Sequence, residues 1–310
     1  MITRTSSQSC ASEMRPLARL LLLVLLPDAI IIASTAAGEQ PSQPQAQPPK
    51  IVLLAGRPSH GGGAHAWEDD ARFLQRCLAS ASNLPRLRVE MHTQGWPKDA
   101  AALDDAATIV LLSDGFDGHP FFAKAQPERM EILRKQMARG AGLACIHYAV
   151  CPRGRGESEM MNWIGGYYKD GYSRNPIHTA VVSPAGDHPI CRGWKPFTVR
   201  DELYYRIWFG REGKQPDGKG VDGQPTAVPV ATAPLPPDKP ASETIAWAIR
   251  RSDGGRGFGF TGGHFHKNLL LDDYRKLLLN AIVWTARIDV PKEGVLSTAI
   301  DREQGSGNGE

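Results

Sequence analysis

Five histidines in this chain fall where an imidazole could do chemistry. His60 and His65 follow the short apolar run Ile51–Ala55 (IVLLA), His147 closes the run GLACIH, and His264 and His266 follow GFGFTGG. Imidazole titrates near neutrality and is a common metal ligand, so a group of them suits proton transfer or a metal centre. A metal asks for three or four donors, and Glu202, in RDELYY, is the best carboxylate to join them. Taken singly, His147 reads equally as a strand-end histidine bonded to a loop carbonyl. His266 shares a face with His264 only while that segment stays extended. The run Gly61–Gly63 is followed by no Lys-Ser/Thr and completes no dinucleotide glycine pattern, so no nucleotide cofactor is expected. Asp187-His188-Pro189 has the composition of a turn. His92 and His119 carry no context and read as surface positions. Trp194, Trp208 and Trp284 read as core, whereas Trp163 is a pocket candidate.

The elements that must position these groups are short apolar strands and amphipathic helices. IVLLA, bounded by Gly56 and Pro58, has the unbroken apolar character of a strand covered on both faces. A helix is expected over about 66–80, with Phe73, Leu74, Cys77 and Leu78 on one face. Strands come next near 87–92 and at 108–112 (TIVLL), then a helix from Pro127 to Gly140, then the strand and turn of 142–150. The order β-α-β-β-α-β predicts an open, mostly parallel, twisted α/β sheet with helices on both faces. Later strands are expected at 179–182, 198–205, 229–231, 244–249 and 257–261, between loops rich in Pro and Gly, with a final helix over about 271–286. In such a sheet ligands collect beyond the carboxyl ends of the strands, where all three histidine segments lie.

Composition sets the outer bounds. Of 310 residues 41% are apolar and 22% charged, and the net charge of +3 forms no basic stripe alternating with aromatics, so no nucleic-acid partner is expected. Residues 1–37 carry Arg4, Arg15 and Arg19, an apolar run over 20–26 continued at 29–32, and small residues over 33–37. This is the pattern of a signal peptide cut near Ala36 or Ala37, for export to the periplasm or beyond. Pro27 and Asp28 interrupt the run, which argues against an uncleaved anchor and hence against stable membrane insertion. Residues 38–50 read as an extended Pro/Gln-rich linker, 51–290 as the folded domain, and 291–310 as a flexible tail. Of the four cysteines beyond the leader, Cys145 reads as a buried free thiol, and Cys151 with Cys191 is the one conceivable bridge. No oligomeric state can be read from the sequence.

The segments GAGLACIHYAV, GDHPICRGWKPFTVRDELYY, TIAWAIRR, GFGFTGGHFH and LLLNAIVWTA occur in an order that resembles ThuA-like (trehalose-utilisation) proteins, from about Ile51 to Ala286. The resemblance implies a fold of the flavodoxin-like, class I glutamine amidotransferase kind. There a cysteine occupies a tight strand-to-helix turn beside backbone N–H groups that hold an oxyanion. Here His147 falls at that position, with Cys145 two residues earlier, so glutaminase chemistry is not expected. The family's recurring polar positions match His147, Glu202 and His264, with His60 or His65 supplied by the first loop. By that analogy a divalent metal, zinc or manganese, is held by His65, His147 and Glu202 or His264, with His60, Trp163, Tyr204 and His266 facing the substrate. The resemblance implies a small carbohydrate partner, a disaccharide, glycoside or keto-glycoside, and a metal-assisted hydrolase, lyase or isomerase. The competing reading is a sugar-binding or scaffold domain without catalysis; a residual amidotransferase or peptidase-like hydrolase would need a nucleophile beside His147.

Overall fold

The computed structural model describes residues 47–219 and 226–298. The expected signal peptide, most of the linker and the last twelve residues of the tail lie outside them. Nine strands form one sheet in the order β2-β1-β3-β4-β9-β8-β7-β5-β6. β1 (Lys50–Ala55), β2 (Arg88–His92), β3 (Ala106–Leu112), β4 (Gly142–Ile146) and β9 (Arg256–Phe260) run parallel. β8 (Ala241–Arg250), β7 (Val228–Leu235), β5 (Ile177–Pro184) and β6 (Phe197–Glu202) continue the sheet in antiparallel pairs. The parallel half is the α/β arrangement the early strands predict. The antiparallel half comes from the Pro/Gly-rich second half, whose hairpin strands need no crossover helices.

The strands of the parallel half are apolar throughout because both faces are covered. Ile51, Leu53 and Ala55 of β1 enter one core with Phe73, Leu74, Cys77 and Leu78 of α1 (Trp67–Ala79) and with α4 (Asp272–Thr285). Val52 and Leu54 enter the other with Leu133 and Met137 of α2 (Glu128–Ala138) and with α3 (Gly156–Ile164). Alternate side chains thus point to opposite layers, the period-two rule of a strand. Glu68, Asp69 and Asp70 place negative charge at the amino end of α1, where the helix dipole favours it.

Four expectations change. α3 is hidden in the sequence by its Gly154-Arg155-Gly156 entry, and it draws Trp163 into the second core, stacked on Phe122 rather than facing a pocket. The 291–298 part of the expected tail is tied down: Val295 is buried, its N–H donates to Asn280 Oδ1 (2.8 Å), and Leu296 N–H donates to Asn83 Oδ1 (3.0 Å). Cys77, Cys145, Cys151 and Cys191 are all free thiols, so the conceivable Cys151–Cys191 bridge is not formed. His119, read as a surface residue, is fully buried, with Nε2 against the Ala149 carbonyl (3.0 Å) and Nδ1 accepting from Phe121 N–H (3.3 Å).

Burial pushes the His119 imidazole down to about 4, from 6.5. Below pH 6.5 the unfolded chain binds a proton that the folded chain refuses until about pH 4, so stability falls as the pH drops through that window. Between pH 7 and pH 5 the loss from this one group is about 2 kcal/mol. His119→Gln can keep both hydrogen bonds without titrating. Urea unfolding of the two proteins at pH 7 and pH 5 is expected to show the wild type losing about 2 kcal/mol more than the variant; equal losses would refute the assignment.

Candidate metal centre

Each histidine of the site is delivered by a strand end or the loop after it, and two are held in unusual backbone. His147 follows β4 at φ +56 and His65 lies in the loop after β1 at φ +48, left-handed conformations that cost a residue other than glycine about 1 kcal/mol or more. His147 is kept there by its ring: Nδ1–H donates to the Thr261 carbonyl at 2.7 Å. Gly263 passes so close that a Cβ would lie 3.2 Å from His147 Cβ, and its φ of +116 suits only glycine. The loop bearing His65 is joined to the loop bearing His264 by His65 N–H to His264 O (2.9 Å) and His266 N–H to Gly63 O (2.8 Å).

The donors meet at His147 Nε2. It lies 3.2 Å from His65 Nε2, 3.2 Å from His264 Nδ1 and 3.3 Å from Glu202 Oε2, and His264 Nδ1 is 3.3 Å from the same carboxylate oxygen. A tetrahedral metal with bonds of about 2.0–2.1 Å separates its donors by about 3.3–3.4 Å. These four edges match that figure, and three nitrogens with one oxygen are a donor set that zinc accepts. The second shell agrees. The Thr261 carbonyl fixes the His147 tautomer, leaving the Nε2 lone pair for a metal, and His65 Nδ1 faces Asp114 Oδ1 (3.2 Å) and Ser59 Oγ (2.9 Å). These residues fit a divalent metal.

Electrostatics favours the same ligand forms. Burial pushes the His65 ring below its usual value, more strongly than Asp114 raises it, which keeps the ligand form of the imidazole. Burial alone would raise the Glu202 carboxyl, but His147, His264 and Asn175 hold it well below the usual carboxylate range. Asn175 Nδ2 donates to the other carboxylate oxygen at 2.9 Å.

His65, Glu202 and His264 also border a cavity of about 210 Å³. His60 lines it from the exposed side, its ring 3.9 Å from that of His65, and Tyr204 lines it from within, its hydroxyl 3.2 Å from His147 Nε2. His266 does not reach it. Its Nδ1 bonds Asp70 Oδ1 on α1 at 2.6 Å, because the chain turns into a 3-10 segment (His266–Leu270) and swings the ring toward the helix. With Trp163 in the core, two of the four expected substrate-facing side chains therefore lie elsewhere. Several neighbours lack a sequence signal: Asp114, Tyr148, Tyr168 and above all Asp201. Fully buried, Asp201 accepts from Gly263 N–H (2.9 Å), His264 N–H (3.1 Å) and the Tyr274 hydroxyl (2.8 Å). Its position beside Glu202 was the one available hint.

A thiol nucleophile is disfavoured by the same surroundings. Cys145 points into the second core and Cys151 borders the cavity, and burial pushes both thiols far up, the reverse of an activated cysteine. Native protein at pH 8 is expected to leave both unmodified by iodoacetamide and to label both in urea, read by peptide mass spectrometry. Rapid labelling of native Cys151 would restore the thiol-hydrolase reading.

Fold and site together define an α/β protein whose turn after β4 carries a buried imidazole, His147, at the centre of a histidine and carboxylate cluster. Residues 60–285 match the ThuA family, described as trehalose utilisation. The chain belongs to that family. Two solved structures are similar to it: a ThuA-like protein from Bacteroides uniformis ATCC 8492 (TM-score 0.54, 15% identity, 83% of this chain and 98% of that one) and one from Parabacteroides merdae ATCC 43184 (TM-score 0.52, 17% identity, 82% and 96%). At such identities the likeness bears on the fold alone. A comparison with the curated proteins finds no match.

Proposed function

We propose that this protein is an exported enzyme of glycoside catabolism, a hydrolase, lyase or isomerase acting on a glycoside or keto-glycoside with a divalent metal, zinc before manganese. The observation that carries the reading is the meeting of four donors from four separate chain segments at the edge of a small aromatic-walled cavity. At about 210 Å³ it is below the ~300–1,000 Å³ of pockets for drug-sized ligands, a size suited to one sugar ring. Export is supported by the arginine leader and apolar run of residues 1–37.

When bound, the metal supplies a Lewis acid for a sugar carbonyl or hydroxyl. The chain supplies the rest. Tyr148, Tyr168 and Phe116 wall the cavity and can pack on the C–H faces of a sugar. Burial pushes the Tyr204 phenol far up, so it stays protonated and can donate to a substrate oxygen. His60, exposed at the mouth, is placed to exchange a proton with water.

Elemental analysis of the purified protein is expected to find about one zinc or manganese ion per chain. Turnover across a panel of glycosides and their keto derivatives is expected to vanish with chelator and return on adding the metal. Activity indifferent to chelator would sink the metal-assisted reading and favour a chemistry of the histidines alone.

A further inference from the structure

A second, larger cavity neighbours the histidine-lined one. It is a groove of about 1190 Å³ between α2, the entry to α3 and residues 116–127. Phe116 lines both spaces, so the two adjoin at a single side chain. That ring is fixed. Phe116 sits at φ +50, its N–H donates to Cys151 O at 2.7 Å, and a Cβ on Gly115 would lie 2.4 Å from Tyr148 O. Tyr148 and Cys151 belong to the turn that carries His147, so partition and centre share one support.

The groove's lining joins aromatic and apolar side chains with charged ones. Phe121, Phe122 and Met130 lie along it, and Gly156 runs so close under Phe122 that a Cβ would be 2.6 Å from the ring. Charged side chains line it as well: Arg153 pairs with Asp117 (3.2 Å), Arg134 pairs with Glu159 (2.6 Å) and reaches Met130 Sδ (3.1 Å), while Lys124 and Arg155 are exposed. A second sugar would be read by donors and acceptors along its length, whereas Phe116, Phe121, Phe122 and Met130 offer the groove a run of apolar surface. Flat apolar groups match such a surface.

The geometry points to the groove as the subsite for the aglycone of an aryl glycoside, its glycosyl ring in the histidine-lined cavity and its aromatic part beyond Phe116. The inference rests on the proposed function for the identity of the glycosyl site. The test is equilibrium binding of 4-methylumbelliferyl glucoside, methyl glucoside and free 4-methylumbelliferone to the full chain, both anomers of each glucoside, followed by fluorescence and calorimetry. The aryl glucoside is expected to bind about tenfold or more tighter than the methyl glucoside, a gap set by the buried ring. Ala125→Trp, which fills the groove from an exposed position, should close the gap and leave methyl glucoside affinity as it was; Phe122→Ala should narrow it. Equal affinities for the two glucosides, or a gap that survives Ala125→Trp, would overturn the inference. Binding of free umbelliferone that Ala125→Trp removes, with neither glucoside competing, would overturn the glycosyl assignment and keep the groove as an aryl site. Metal uptake without any aryl preference would do the reverse.

Discussion

Alanine at position 147 is expected to abolish metal retention and lower glycoside turnover by about a thousandfold or more, the rate equivalent of losing several kcal/mol of Lewis-acid stabilisation. The size of the effect comes from where the side chain stands. His147 Nε2 is within 3.3 Å of two other imidazoles and a carboxylate, so it is the corner at which the donor set is joined. Its removal leaves Glu202 and His264 facing each other without the third corner, and leaves the Thr261 carbonyl without its donor. Metal content and turnover are to be measured on the same preparation, with circular dichroism to show that the sheet is intact. A folded alanine variant that keeps its metal and its rate would remove the centre from the mechanism.

Asp201→Ala should be costly in a different way. The carboxylate collects Gly263 N–H, His264 N–H and the Tyr274 hydroxyl inside the protein. Each donor stranded without water costs about 1–3 kcal/mol, so a stability loss of at least about 3 kcal/mol is expected in urea unfolding. Asp201 holds the loop behind His264 and is continuous in sequence with Glu202, so two ligands lose their setting together. A fall in metal affinity of about 10–100-fold is therefore expected, the usual effect of losing a supporting group. Asp201→Asn retains an acceptor oxygen and should recover part of both losses. Cobalt(II) titration of the asparagine variant separates the roles: a wild-type spectrum and affinity beside reduced stability would make Asp201 a structural residue only.

The ligands were legible because strand ends are legible. IVLLA, GLACIH and GFGFTGG announce buried parallel strands by their unbroken apolar runs, and parallel strands carry the loops at their carboxyl ends to one edge of the sheet. Glu202 was legible only as the best carboxylate at hand, since β6 lies in the antiparallel half and pairs with β5 at the sheet edge, outside the regular αβ repeat. Which way a side chain turns was less readable. His264 and His266 differ by two positions, yet one faces the centre and the other Asp70, because a 3-10 segment starts between them. Trp163 and His119 were misplaced for a common reason. Each is positioned by a partner far along the chain or by a short irregular segment, Phe122 for the first and the Ala149 carbonyl for the second, and hydrophobic period carries no trace of either.

The bonds that join the loop after β1 to the loop after β9 bear on when the centre comes into being. His65 and His147 are 82 positions apart, and His147 and His264 a further 117, so no short stretch of nascent chain contains a partial copy of the donor set. An ion held by this donor set would be captured only after β9 has paired with β4 and the last loop has reached the first, near the close of folding. Metal selection would then fall partly to the compartment in which the polypeptide completes its folding, whose ion pool acts alongside the donor chemistry of the set.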